Sequence, residues 1–230
     1  MKSGFTLAEI LITLGIIGVV AAMTIPNLIA NAQKKAAAMK VKAFYSKINQ
    51  ALRLSIADNE EPEGWIYPNP DNYAEMQEFL KTYFHPYIKL SACENHPIAY
   101  EGGATACTLL DGGVAIFGYV EGLDIYYITD YKYYQKAKDN NTDFRKDFRH
   151  SFAFSLQRIN SGGYVPGGIG RDEGVRNSNF VVPYSMDWSG TREDLLTNTK
   201  YGCNKNAQYP SFCAKLIMDS GWVIPKDYPW

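Results

Sequence analysis

Neither sign of charge is in excess: 23 Lys and Arg stand against 24 Asp and Glu, a formal net charge of -1. The chain lacks the surplus of cations that would neutralise a long run of phosphates, which argues against generic nucleic-acid binding. Histidine is scarce, limited to His85, His96 and His150, and no serine or cysteine sits in a recognisable nucleophile motif. His85 and His96 each precede a proline and read as loop residues, while His150 reads as a structural histidine on an apolar strand face. No P-loop or dinucleotide fingerprint is present, and the glycine-rich stretch Ser161 to Gly174 lacks the required order. The sequence therefore supports no cofactor and no enzymatic activity. It also lacks the polar bias of a disordered chain, since 46% of its residues are hydrophobic and 14% aromatic.

The most telling scarcity is local. From Phe5 to Ala30 the only charge is Glu9, and a helix over this run would reach roughly 39 Å at about 1.5 Å per residue, enough to cross a bilayer. A cleaved secretory signal ending near Ala21 and Ala22 is the simplest alternative, and would make the mature product a secreted or surface binding protein or enzyme. Such signals, however, place several basic residues before a shorter apolar core, and here only Lys2 precedes it. A carboxylate at mid-membrane costs about 2.5 to 3.5 kcal/mol on insertion scales, so Glu9 calls for a partner. Gly15, Gly18 and Pro26 interrupt the same run. Pro26 has no N–H to bond and crowds the Ala22 carbonyl, which predicts a kink or an unwound stretch between Gly18 and Pro26.

Lys2-Ser3-Gly4 followed by Phe5-Thr6-Leu7-Ala8-Glu9-Ile10 resembles the leader, cleavage site and methylation motif of type IV prepilins and type II secretion pseudopilins. The resemblance implies that a prepilin peptidase cuts after Gly4 and methylates the Phe5 amine, leaving Glu9 as the fifth residue. It further implies that Glu9 meets the N-terminal amine of a neighbouring subunit inside an apolar helical core, where two charges are tolerable only as a pair. The implied partners are the peptidase, other pilin or pseudopilin subunits and an inner-membrane assembly platform. The implied location is the cytoplasmic membrane, crossed once, with the head outside the cytoplasm and then carried in a pilus or pseudopilus. A minor or tip subunit is the nearest variant of this reading. One count opposes the orientation: Lys34, Lys35, Lys40, Lys42, Lys47 and Arg53 follow the span, and positive charge ordinarily stays in the cytoplasm.

Four segments are expected: a leader over 1–4, an apolar helix over 5–30, an amphipathic continuation over 31–57 and a globular head over 58–230. Val41, Phe44, Ile48, Leu52 and Ser55 recur at helical spacing. A second helix is expected at Tyr73 to Phe84, started by the Asn72 and Glu75 spacing and stopped by Pro86. Strands are expected at Thr108 to Leu110, Val114 to Val120, Ile125 to Thr129, along the alternation from Phe148 to Leu156 and at Asn179 to Tyr184. The fold class is α+β, with a long N-terminal helix packed on an antiparallel sheet, which is also the pilin architecture.

Cys93, Cys107, Cys203 and Cys213 allow three pairings. Nearest neighbours, Cys93 with Cys107 and Cys203 with Cys213, would close two local loops, and the second would resemble the C-terminal loop of many pilins. A zinc site and reduced buried thiols stand as alternatives, although neither spacing matches the usual closely spaced zinc pairs. Asp172 and Glu173 are weak calcium candidates. Tyr126, Tyr127, Tyr131, Tyr133 and Tyr134, with Lys132, Lys136 and Lys138, form an aromatic and basic stretch that would suit carbohydrate or single-stranded DNA, or simply a strand edge and turn. A short helix from Ser211 to Asp219, ended by Gly221, precedes an apolar tail expected to cover the head.

Overall fold

The computed structural model describes residues 6–70, 72–96, 104–119, 123–156 and 180–230. The chain divides into two compact units, Met1–Ala36 and Ala37–Trp230. Helix α1 (Leu7–Asn59) is unbroken in its assignment and carries Pro26 inside it. The expected unwound stretch is therefore absent: every residue from Gly18 to Pro26 stays helical. One missing N–H removes one bond from a ladder that neighbouring turns maintain, and a Cβ at Gly15 or Gly18 would meet nothing within 4 Å.

In the first unit the helix surface is apolar and bare. Leu7, Met23 and Leu28 are 75%, 70% and 71% exposed. Its most apolar 18-residue window has no buried residue, and the helix is long and apolar enough to cross a membrane. Its two mid-span threonines bond back to the helix itself. Thr13 Oγ1 donates to the Glu9 and Ile10 carbonyls at 2.9 Å, and Thr24 Oγ1 to the Val20 carbonyl at 2.9 Å. No hydroxyl then needs water along that surface, a condition a lipid environment imposes.

The second unit is α+β. Six antiparallel strands run in the order β1 (Leu90–His96), β2 (Ala104–Leu109), β3 (Val114–Tyr119), β4 (Leu123–Ile128), β5 (Ser151–Leu156) and β6 (Val181–Pro183). Each strand pairs with its sequence neighbour, the meander expected from short turns. The Asp111-Gly112-Gly113 turn holds β2 to β3, with Gly112 at φ 79° and the Gly113 N–H donating to Asp111 Oδ1 at 3.0 Å. A Cβ on Gly113 would lie 2.6 Å from Tyr127 Cε2, so glycine is required there by the ring alongside.

The part of α1 in this unit lies on one sheet face. Phe44 stacks on Tyr127 with ring centroids 4.4 Å apart and meets Phe154 at 5.3 Å. Val41, Phe44, Ile48 and Leu52, the helical stripe read from the sequence, are fully buried. Asn49 lies buried beside them and behaves as a surrogate strand: its Nδ2 donates to the Val181 carbonyl and its Oδ1 accepts the Val181 N–H, both at 2.9 Å. Two charged bonds tie the same helix to the turns, Lys40 Nζ to the Thr129 carbonyl at 2.7 Å and Lys47 Nζ to Asp111 Oδ2 at 2.8 Å.

Helix α2 (Tyr73–Tyr83) starts at Asn72, whose side chain accepts from Glu75 N at 3.2 Å. The reciprocal half of a capping box is diverted, because the Glu75 carboxylate accepts from Asn69 N at 2.6 Å instead. The opposite sheet face is covered by α3 (Tyr131–Asp139) and a 3-10 turn at Phe144–Lys146, through Phe144 against Tyr126 and His96. Both faces are thus covered, and all six residues of β5 are buried, against the half-buried alternation expected there.

Helix α3 corrects the reading of the tyrosine-rich stretch. Asp130 caps it by accepting from Tyr133 N at 2.9 Å, Tyr134 and Ala137 face inward, and Lys136 and Lys138 sit in the last turn, where cations complement the helix dipole. Two short helices follow, α4 (Arg192–Thr197) and α5 (Cys213–Asp219). Gly221, at φ 75°, ends α5 as expected: its N–H bonds the Met218 carbonyl and the Trp222 N–H bonds the Ile217 carbonyl. The tail then folds onto the head. Trp222 meets Tyr45 at 5.1 Å, Arg192 pairs with Asp227 at 2.8 Å, and the buried Tyr228 donates its hydroxyl to the Phe148 carbonyl.

Candidate functional site

Gly4 and Phe5 lie outside the described residues, and the first described contacts belong to Thr6 and Glu9. The Thr6 N–H and Oγ1 both donate to Glu9 Oε2 at 2.8 Å, and Glu9 N donates to Thr6 Oγ1 at 3.3 Å. This is a complete capping box at the start of α1, a Thr-x-x-Glu signal that the sequence reading missed because Glu9 was considered only as a charge needing a cation. The carboxylate therefore has a local role, accepting the Thr6 N–H at the helix start, where the macrodipole favours negative charge.

The four cysteines form two disulfides, Cys93–Cys107 and Cys203–Cys213, the nearest-neighbour pairing, with no free cysteine among the described residues. Neither resident zinc through the thiols nor reduced thiols fit this state. Cys93 reaches its partner from a bulge: Ala92 and Cys93 oppose the single residue Cys107, between the pairs Ser91 with Thr108 and Glu94 with Ala106, and Ala92 has φ 44°. The weak calcium candidates Asp172 and Glu173 lie outside the described residues.

The histidines are placed differently from expectation. His85 does lie in a turn, after α2, but His96 is the last residue of β1, pairs with Ala104 and is 1% exposed. Proline following His96 did not prevent it from ending a strand, because only the next residue loses its donor. Tyr134 Oη donates to Glu94 Oε1 at 2.8 Å and sits 3.3 Å from His96 Nδ1, while Lys138 Nζ donates to Glu94 Oε2 at 2.6 Å. Burial drives the His96 pKa down to about 4, against the attraction of Glu94, so the ring is neutral at pH 7. Burial works against the Glu94 carboxylate too, yet its bonds from Lys138 and Tyr134 hold it below the usual value. His96 Nε2 has no partner among the described residues.

His150 precedes β5 in a turn instead of standing on its apolar face. It stacks on Tyr133 at 4.4 Å between centroids and brings Nδ1 to 3.1 Å from Asp147 Oδ2. Asp147, which also accepts from Arg149 N at 2.8 Å, is spent on the turn. The tyrosines offer no stacking platform: Tyr127, Tyr134 and Tyr126 are buried, and Tyr131 is the most exposed of the five at 42%. Burial pushes the Tyr127, Tyr133 and Tyr134 phenols well above their ordinary range. A cleft of about 320 Å³ between α2 and the segment before it is lined by Ile66, Tyr67, Phe79 and Tyr83, with Glu75 at its rim. Glu75 is committed to Asn69 there.

The second unit falls wholly inside one family match. Residues 27–230 match the model of a family of unknown function, DUF6613. The chain belongs to DUF6613. No curated protein matches it and no solved structure does. The DUF6613 match begins at Asn27, so Gly4, Phe5, Glu9 and Pro26 lie before it.

Proposed function

We propose that the protein is a prepilin-like structural subunit, anchored by α1 in the cytoplasmic membrane, cut after Gly4, methylated on Phe5 and assembled through its N-terminal helix into a pilus or pseudopilus. The observation that carries the reading is Glu9: a lone carboxylate at the start of α1, whose exposed apolar run as far as Ala30 holds no other charge, in register with a glycine five positions earlier. The capping box shapes the mechanism. Both Thr6 bonds fall on Glu9 Oε2, so the carboxylate keeps lone pairs for an incoming ammonium while it organises the first turn. Cleavage after Gly4 creates that ammonium one residue before Thr6, and in an apolar bundle the amine of one subunit and Glu9 of the next neutralise each other. The pair fixes register, because any offset leaves both charges buried alone.

The disulfides support placing the head in an oxidising compartment, the orientation the family resemblance implies against the positive-charge count. Lys40 and Lys47 fit this placement as docking residues of the head, bonded to Thr129 and Asp111. Mass spectrometry of the mature N-terminus tests the proposal. N-methylated Phe5 is the expected product, whereas a start after Ala22 would remove Glu9 and leave a secreted protein.

A further inference from the structure

We propose that His85, Cys93 and Cys107 form a zinc(II) site when the Cys93–Cys107 disulfide is reduced. Three elements converge there. β2 supplies Cys107, the bulge in β1 supplies Cys93, and the turn ending α2 supplies His85, held by its N–H to the Leu80 carbonyl at 2.8 Å. One ligand atom from each lies within 4.8 Å of the other two. His85 Nε2 stands 3.7 Å from Cys93 Sγ, and among the described residues its ring has no other hydrogen-bond partner. A tetrahedral zinc bound at about 2.1 Å to nitrogen and about 2.3 Å to sulfur sets those atoms about 3.6 Å apart. One edge of the coordination polyhedron is therefore already formed, and separation of the two sulfurs would open the others.

The donor set selects the metal class. Two thiolates and an imidazole suit a soft or borderline ion, whereas calcium and magnesium require oxygen. A dithiol reductant delivers two electrons and two protons: the S–S bond breaks, two thiols form and the reductant closes to its own disulfide. Zinc then displaces both thiol protons to solvent without changing its own oxidation state, and water completes the fourth position. Disulfide and metal exclude each other, so the site belongs to chains whose first cysteine pair has not been oxidised. Cysteine spacing missed it because the third ligand lies eight positions before Cys93, in another element.

The test uses the full chain in detergent, reduced by a phosphine, which takes up oxygen from water as two thiols form. Zinc is titrated in competition with a chromophoric chelator, and cobalt(II) serves as a spectroscopic substitute. Reduced wild type is expected to bind one equivalent more than reduced Cys93→Ser/Cys107→Ser, with a thiolate-to-cobalt charge-transfer band, and oxidised wild type is expected to bind none at this site. His85→Ala is expected to weaken binding at least tenfold. Equal uptake by wild type and the double-serine variant, or unchanged affinity in His85→Ala, overturns the proposal. Should circular dichroism show that reduction unfolds the head, zinc must restore the fold of wild type and not of the double variant, and failure to do so counts equally against it.

Discussion

Asn49 shows how much one side chain can decide. Its amide meets both main-chain groups of Val181 in the buried layer between α1 and the sheet, so Asn49→Ala strands a donor and an acceptor out of reach of water. A loss of about 2 to 4 kcal/mol is expected from chemical denaturation in detergent. Asn49→Asp should be at least as costly, since a carboxylate faces the Val181 carbonyl without a proton to donate. His96 makes a pH prediction. Its native pKa of about 4 lies below the ordinary value of 6.5, so between those values the unfolded chain holds a proton that the native chain refuses. Stability is fully present above about pH 6.5 and declines as pH falls toward 4, and His96→Phe should flatten that part of a denaturation-midpoint profile. At the N-terminus, Glu9→Val should leave membrane insertion intact while abolishing recovery of the protein in sheared filaments. Normal recovery would remove the charge pair from the proposal.

Elements were legible where one signal dominated. The stripe Val41, Phe44, Ile48 and Leu52 announced α1, Asn72 and Pro86 bracketed α2, and the Asp-Gly-Gly turn placed β2 against β3. β1 was missed because Ser91, Glu94 and Asn95 are polar and show no apolar alternation, and the bulge at Ala92 and Cys93 breaks period two. α3 was misread because tyrosines favour strands, although the Asp130 cap and the inward pair Tyr134 and Ala137 were helical signals in plain view. The functional residues divide in the same way: Glu9 stood out by charge, whereas its bond to Thr6 and the approach of His85 to Cys93 depend on local geometry or on distant elements. At this scale the Cys203–Cys213 link closes a loop between α4 and α5, and replacing both residues by serine should cost about 2 to 3 kcal/mol in the same denaturation assay.

At the scale of the whole molecule, the proposed export of the head makes a prediction about its cysteines. Membrane fractions alkylated before and after reduction should gain mass at all four cysteines only after reduction if the head is exported. Labelling without reduction would place it in the cytoplasm, in agreement with the basic residues after the span. The family match covers the head and leaves the anchor to be argued from its own residues.

The two outer strands of the sheet have a consequence for aggregation. On one side Asn49 already occupies the main-chain groups of Val181, and on the other the irregular β1 offers a bent border in place of a flat template. A second molecule cannot readily extend the sheet by laying its own backbone alongside. Crowded copies are therefore steered away from amyloid-type stacking, and the bare apolar helix is left as the adhesive part of the protein.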